Sequence, residues 1–422
     1  MRGALLFVLL CAEALAADIA GSWHLTLVRF GEEFADARVE LKTEGTKLAG
    51  TLNELKLEGT AEGGVVRFTA IRPNGQPFGT LEGRISGDQM SGSVKQGDDQ
   101  FAWKARRLKV DGGPPRTHTF EPEKFHRVFS GGIEPAMRIQ PGDTVRTWSV
   151  DAGGRDAKGV RRSLGGNPQT GPFYVEGAMP GDTLAVKFSR IRLNRDSAGS
   201  GNSITPSALT PGYYRDAKRD DKFNSEWKLD RQTGYGMLAK PTERLKDFRI
   251  KLNPMLGCVA VAPPANQSFR TGWPGSFGGN MDYNGLREGV TVYLPVYVPG
   301  ALLFVGDGHA AQGDGELNGD ALETSMDIEF TVNLTRGRST PAPRMENDEW
   351  LMASGIANSL PDALQQATTE LVRWLERDYK LSANEAAIVV GTSVRYDIAE
   401  VVDPLIHIVA KVSKEVLSTL EK

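Results

Sequence analysis

The chain reads as mainly β with an α+β section at its C-terminus: a small antiparallel barrel or sandwich precedes a larger β-rich domain. Three observations predict this. Glycine (48) and proline (23) are abundant among 422 residues, which favours short strands joined by turns. Apolar and polar residues alternate with period two through the first hundred positions, with a turn signal roughly every 8–12 residues. Helical periodicity is confined to the region after residue 360.

Composition narrows the class. Hydrophobic residues are 40%, charged residues 24% and the net charge is -3, so the basic field of a nucleic-acid binder is absent. Arg2, the apolar run 4–10 and Ala14-Leu15-Ala16 form the pattern of a cleaved export signal at 1–16. The run is far shorter than the ~20 residues that cross a bilayer. Export to the periplasm or medium is the expectation, with no membrane attachment after cleavage. Cys258 then remains as the one cysteine, so no intramolecular disulfide forms and burial alone must hold the core.

Each element has its own warrant. Within 17–110, Trp23-His24-Leu25-Thr26-Leu27, Val39-Glu40-Leu41-Lys42, Leu55-Lys56-Leu57-Glu58 and Val65-Val66-Arg67-Phe68 alternate as half-buried strands do. Glu44-Gly45, Glu62-Gly63-Gly64, Pro73-Asn74-Gly75 and Ser86-Gly87-Asp88 are the turns between them, and no site chemistry is evident there. Gly112-Gly113-Pro114-Pro115 marks a linker, 111–119. The domain 120–422 continues with strands at 144–150, 183–191, 290–298 and 301–305. Leu364, Leu371, Trp374 and Leu375 share one face of a helix over 360–379. Ser382 and Glu385 form a capping box for a helix over 382–390, and Asp403-Pro404 opens a third running to about 420.

Three glycine-aspartate loops carry the chemistry. The first runs Asn167-Pro168-Gln169-Thr170-Gly171-Pro172-Phe173-Tyr174-Val175-Glu176-Gly177-Ala178, then Pro180-Gly181-Asp182. The second is Gly278-Gly279-Asn280-Met281-Asp282. The third, Val305-Gly306-Asp307-Gly308-His309-Ala310-Ala311-Gln312-Gly313-Asp314-Gly315-Glu316, leaves an apolar strand and sets His309 among up to three carboxylates. Glycine lets the backbone turn tightly, so several side chains can converge. Imidazole with carboxylates is a ligand set for a divalent ion, zinc foremost and calcium as the alternative. An EF-hand fails because His309 and Ala311 stand where oxygen ligands belong. A dinucleotide loop fails because Gly306-Asp307-Gly308 lacks its third glycine. On residue types alone, a solvated turn competes with the metal reading.

These loops, in this order, resemble the signature stretches of the acetamidase/formamidase family: Thr-Gly-Pro-x-x-Val-Glu-Gly-Ala-x-Pro-Gly-Asp, Gly-Gly-Asn-x-Asp and Gly-Asp-x-His-Ala-Ala-Gln-Gly-Asp-Gly-Glu. The resemblance runs from about Phe125 through the C-terminal helices and leaves out the N-terminal β unit. It implies a β-rich fold that hydrolyses short carboxamides to carboxylate and ammonia. The residue inventory agrees. Amide hydrolysis needs an activated nucleophile and an oxyanion stabiliser. No Gly-x-Ser-x-Gly elbow or His-Glu-x-x-His helix occurs, and Cys258, in an apolar stretch, reads as buried and unreactive. Metal-activated water remains.

Of five histidines, His24 reads as structural, His118 as solvated and His407 as a core histidine. His309 is the leading ligand, and the resemblance adds His126. Asp282 follows a glycine pair and Asp151 ends a strand, so both join the expected metal set with His309 and His126. Glu176 and Glu316 are expected to move protons, and Asn280 and Gln312 to hydrogen-bond the amide. Asp143 and Asp182 are explained by Pro-Gly-Asp turns. Similar sequences often carry histidine where Asn167 stands, which leaves substrate and metal set open. Two other readings stand: a glycan-active protein using Asp314 and Glu316, and a non-catalytic small-molecule-binding protein. A homo-oligomer is compatible with the sequence.

Overall fold

The computed structural model describes residues 19–109, 112–220 and 222–420. The export signal expected at 1–16, with Cys11, lies outside the described residues. The chain divides into two compact units, Met1–Asp111 and Gly112–Lys422.

The first unit is a closed eight-stranded meander barrel. Each strand pairs antiparallel with the next, and Asp99–Arg107 closes back on Gly21–Arg29. Alternation puts Trp23, Leu25, Val39, Leu41, Leu57, Val66, Phe68, Leu81, Val94 and Trp103 inside. Gly83 leaves room for the largest of them, because a Cβ there would lie 2.5 Å from Cζ2 of Trp103. His24 is held on Asp36 Oδ1 at 2.5 Å, a structural role.

The second unit packs two large sheets around one core, beside a two-stranded pair of Val128–Ser130 and Ser268–Arg270. A nine-stranded sheet runs Arg395–Glu400, Ile406–Ser413, Trp350–Ala357, Arg344–Glu346, Thr291–Pro295, Thr183–Leu193, Met326–Thr335, Thr144–Ser149 and Thr117–Thr119. Its last strand takes up residues expected in the linker. The other sheet has Leu303–His309 and Met255–Ala260 at its centre. Val186, Phe188 and Phe330 of the first sheet share a buried cluster with Val259, Phe304 and Val305 of the second. Both central strands of the second sheet are buried on both faces, which is why they read as apolar runs without alternation.

Helix Leu360–Asp378 lays Ala363, Ala367, Leu371 and Leu375 on Leu351, Ala353, Ile408 and Ala410. Ala383–Ser393 follows with the Ser382–Glu385 capping box formed. The third expected helix is instead the strand Ile406–Ser413, followed by one turn, Lys414–Leu417. Its β-branched run pairs along all of Trp350–Ala357, and that pairing outweighs the Asp-Pro start signal. His118 is not solvated but half-buried, with Nε2 on Asp143 Oδ2 at 2.7 Å. Asp143 also accepts from Arg116 and Gln140 backbone N–H, and Asp182 from Met179 and Gly337, so both aspartates fix turns.

Candidate active site

Asp307 and His309 lie two apart on one strand, so their side chains leave the same face. The expected loop is strand as far as His309. Met255–Ala260 runs alongside and brings Gly257 opposite this pair. Gly278–Asn280 flanks it on the other side and delivers Asp282. Glu323 sits directly across from His309 on a short strand, while Glu316 comes from the intervening loop and Asp403 from the connection before Ile406–Ser413.

A Cβ on Gly257 would fall 2.2 Å from Asp282 Oδ1, 2.5 Å from Asp307 Oδ2 and 3.0 Å from His309 Cε1. The missing side chain is thus the space into which the cluster converges. Asn167, Asp282, Asp307 and Glu316 all hold φ between 38° and 61°. Each such non-glycine residue carries strain on the order of 1 kcal/mol, which the surrounding packing must offset, and such strain gathers at functional sites.

His309 Nε2 stands 3.0 Å from Glu323 Oε1, 3.4 Å from Asp307 Oδ1 and 3.9 Å from Asp282 Oδ1. Its tautomer follows from Gln312. That amide donates from Nε2 to the carbonyls of Asp282 (2.5 Å) and Ala399 (3.2 Å), so its Oε1 faces His309 Nδ1 at 2.9 Å and must accept. Nδ1 therefore carries the proton. In the neutral ring the Nε2 lone pair points at carboxylate oxygens, and Nε2 and Asp282 Oδ1 are buried without a hydrogen-bond partner. Lone pairs facing one another in a dry site call for positive charge between them.

The titration directions say the same. Burial, followed by the charges of Glu316 and Asp307, lifts the Asp282 carboxyl well above the usual range. Burial raises Glu316 to about 9; His309 opposes this, and Glu323 and Asp307 add to it. Burial lifts Glu323 to about 7 against the pull of His309, and Asp403 to about 7 against a hydrogen bond from Asn280. Burial alone would lower His309, but Glu323 and Asp307 outweigh it and raise it well above its ordinary value. Asp282, Glu316, Glu323, Asp403 and His309 all draw positive charge inward. A divalent cation fits this donor set, with Asp282, His309 and Glu316 forming one triad and Asp307, His309 and Glu323 another.

The expected site residues separate into two groups. His309, Asp282, Glu316 and Asn280 come together. Asn280 donates to Asp282 Oδ2 (2.5 Å) and Asp403 Oδ2 (2.7 Å) and accepts from Asn167 (2.5 Å), so its amide is committed to the cluster. Gln312 likewise positions His309 and does not line the cleft. Asp151, expected as a ligand, is tied to Arg195 Nη2 at 2.7 Å and to the Arg155 N–H. His126 pairs through its backbone with Gln169 and sets its ring edge-on to Phe304, and Glu176 accepts from Arg138 at 2.9 Å. None of these three joins the ligand groups. The site also brings in Glu323, Asp403 and Asp307 of the third loop, which the expected ligand set does not contain, and Asn167 donates to Asp307 Oδ2 at 2.9 Å. Cys258 is fully buried, with its thiol pushed well up by burial and then by Asp307.

Asn167, Asn280, Asp282, Asp307, Glu316, Glu323 and Asp403 line a cleft of about 550 Å³, with Arg270 and Trp273 also on its wall. The chain is similar to known proteins. The Acetamidase/Formamidase family model matches residues 256–404. An acetamidase of Mycolicibacterium smegmatis is 27% identical over 347 residues, 64% of this chain and 85% of that one. A formamidase of Methylophilus methylotrophus is 26% identical over 266 residues, half of this chain and 64% of the relative, a little under two thirds of its length. The solved acetamidase of Yersinia enterocolitica superposes with a TM-score of 0.61 at 29% identity, covering 73% of this chain and 95% of that one.

Proposed function

As a member of the acetamidase/formamidase family the chain is a hydrolase of carbon–nitrogen bonds in linear amides, and we propose that it cleaves small ones, of the formamide or acetamide kind, in the cleft around His309 with the help of a divalent metal. The observation that carries the metal reading is the unpartnered His309 Nε2 facing Glu323, Asp307 and Asp282. These four side chains would hold the ion, and Glu316 beside them is left free to move a proton. When bound it supplies Lewis acidity, polarising a carbonyl and easing the loss of a proton from water.

The protein's own residues do the rest. Gln312 keeps the imidazole turned with Nδ1–H outward from the cluster, so Nε2 stays available. Asn280 and Asn167 lock the carboxylates at fixed spacing. Asp403, at about 7, is suited to take the proton of the attacking water. Glu316, which keeps its proton up to about 9, is suited to hand one to the departing nitrogen. Water oxygen joins the carbonyl carbon, the carbon–nitrogen bond breaks, and carboxylate and ammonia leave. Glu316→Gln is expected to lower kcat by ~10²–10⁴-fold with metal content unchanged. Unchanged kcat would remove Glu316 from the role. The glycan reading loses its geometry, since Asp314 is exposed and bonded to Asn284 while Glu316 points into the cleft.

Export of a chain cut after Ala16 belongs to the same proposal. Sequencing the N-terminus of protein recovered outside the cytoplasm tests it, and a retained Met1 would contradict it.

A further inference from the structure

The second unit contains another cavity, about 530 Å³, that shares no lining residue with the cleft. It lies between the end of helix Leu360–Asp378 and strand Arg344–Glu346. At its buried wall Arg344 donates from Nε to Glu370 Oε1 at 2.5 Å and lies over the Trp374 ring, 5.0 Å from its centroid. Arg344 is 3% exposed, yet its Nη1 is buried with no hydrogen-bond partner. A guanidinium offers five N–H donors, and a bare one in a dry wall is unfavourable unless a ligand accepts from it.

The charges around this cavity do not balance. The carboxylates that line it are matched, Asp378 with Arg377 and Glu346 with Lys414, and Glu370 behind the wall is matched with Arg344. Arg338 and Lys380 also line it, and among the described residues neither has a carboxylate partner. Two exposed cations therefore stand at the opening, a bare guanidinium N–H lies deeper, and the indole of Trp374 forms one side. Planar donors with flanking point charges are the arrangement that oxyanions select.

We propose that this cavity is a binding site for a doubly charged oxyanion, phosphate or a short dicarboxylate. The anion bonds to Arg344 Nη1 and is neutralised by Arg338 and Lys380. The test is calorimetric titration of the full chain with inorganic phosphate and, separately, with malonate, each against sodium chloride of equal ionic strength. The double variant Arg338→Glu, Lys380→Glu is titrated alongside. Saturable binding of either anion, weakened at least ~10-fold in the double variant with acetamide hydrolysis unchanged, is the expected result. Which anion binds distinguishes a phosphate from a carboxylate ligand. Binding that persists unweakened in the double variant belongs elsewhere, in the catalytic cleft above all, and overturns the proposal. Absence of saturable binding by both anions overturns it too. Arg344→Met, checked for an unchanged unfolding temperature, should reproduce the loss without altering surface charge.

Discussion

A methyl group added at Gly257 would sit 2.2 Å from Asp282 Oδ1 and 2.5 Å from Asp307 Oδ2, with rigid strand backbone on both sides. Gly257→Ala should therefore push the carboxylates apart and leave the fold standing. Its kcat/KM is expected to fall ~10²-fold or more, with metal content falling in parallel by elemental analysis. A normally loaded, active variant would mean that the cluster does not converge there. Gln312→Ala removes the acceptor that fixes His309 and should weaken metal affinity ~10–100-fold, read by competition with a chelating dye. At this scale the sequence was legible where glycine announced a crowded site: His309, Asp282, Asn280 and Glu316 stood in glycine-rich stretches. Asp307 has a readable signal, standing two positions before His309 in the same glycine-rich stretch. Glu323 and Asp403 had none, because one arrives by strand pairing and the other from 123 residues beyond Asn280. Asp151 and His126 look like ligands in the chain, but a half-buried arginine claims one and backbone pairing places the other.

Elements behave as local chemistry dictates until a partner strand intervenes. Helix Leu360–Asp378 and the capped helix after Ser382 were legible from periodicity and caps. The segment after Asp403 was not, because nothing local records that Trp350–Ala357 waits beside it. Gly355 sets how closely helix and sheet meet: a Cβ there would lie 1.9 Å from the Ala363 carbonyl oxygen. Gly355→Ala should destabilise the unit by ~1–3 kcal/mol in urea unfolding, and no change would mean the helix can slide. His407, on the strand that replaced the expected helix, bonds Met281 O at 2.6 Å and Ser354 Oγ at 2.9 Å. Burial lowers it to about 4 from an ordinary 6.5. The unfolded chain takes up a proton below about 6.5 that the fold refuses, so this contribution is complete above 6.5 and is lost as pH falls toward 4. The shift corresponds to on the order of 3 kcal/mol. His407→Gln should flatten the decline in unfolding free energy between pH 6.5 and 4, and an unchanged slope would assign the decline to other groups.

Each of the two units buries its own core, one inside a closed barrel and one between two sheets. Period-two patterning made the barrel legible, and the β-rich character of the second unit followed from its apolar runs and turns. The pairing of its sheets did not, since long-range register leaves little trace in neighbouring residues. A chain starting at Gly112 contains every residue of the cleft and should fold and keep its amidase activity. A soluble, folded but inactive product would give the barrel a part in catalysis. The central claim, that His309 and its carboxylates hold a metal on which amide cleavage depends, is tested most directly by ammonia release from formamide, acetamide and propionamide, before and after chelation with metal add-back. Release that stops on chelation and returns with one divalent ion is the predicted result. Undiminished release from metal-free protein would contradict it.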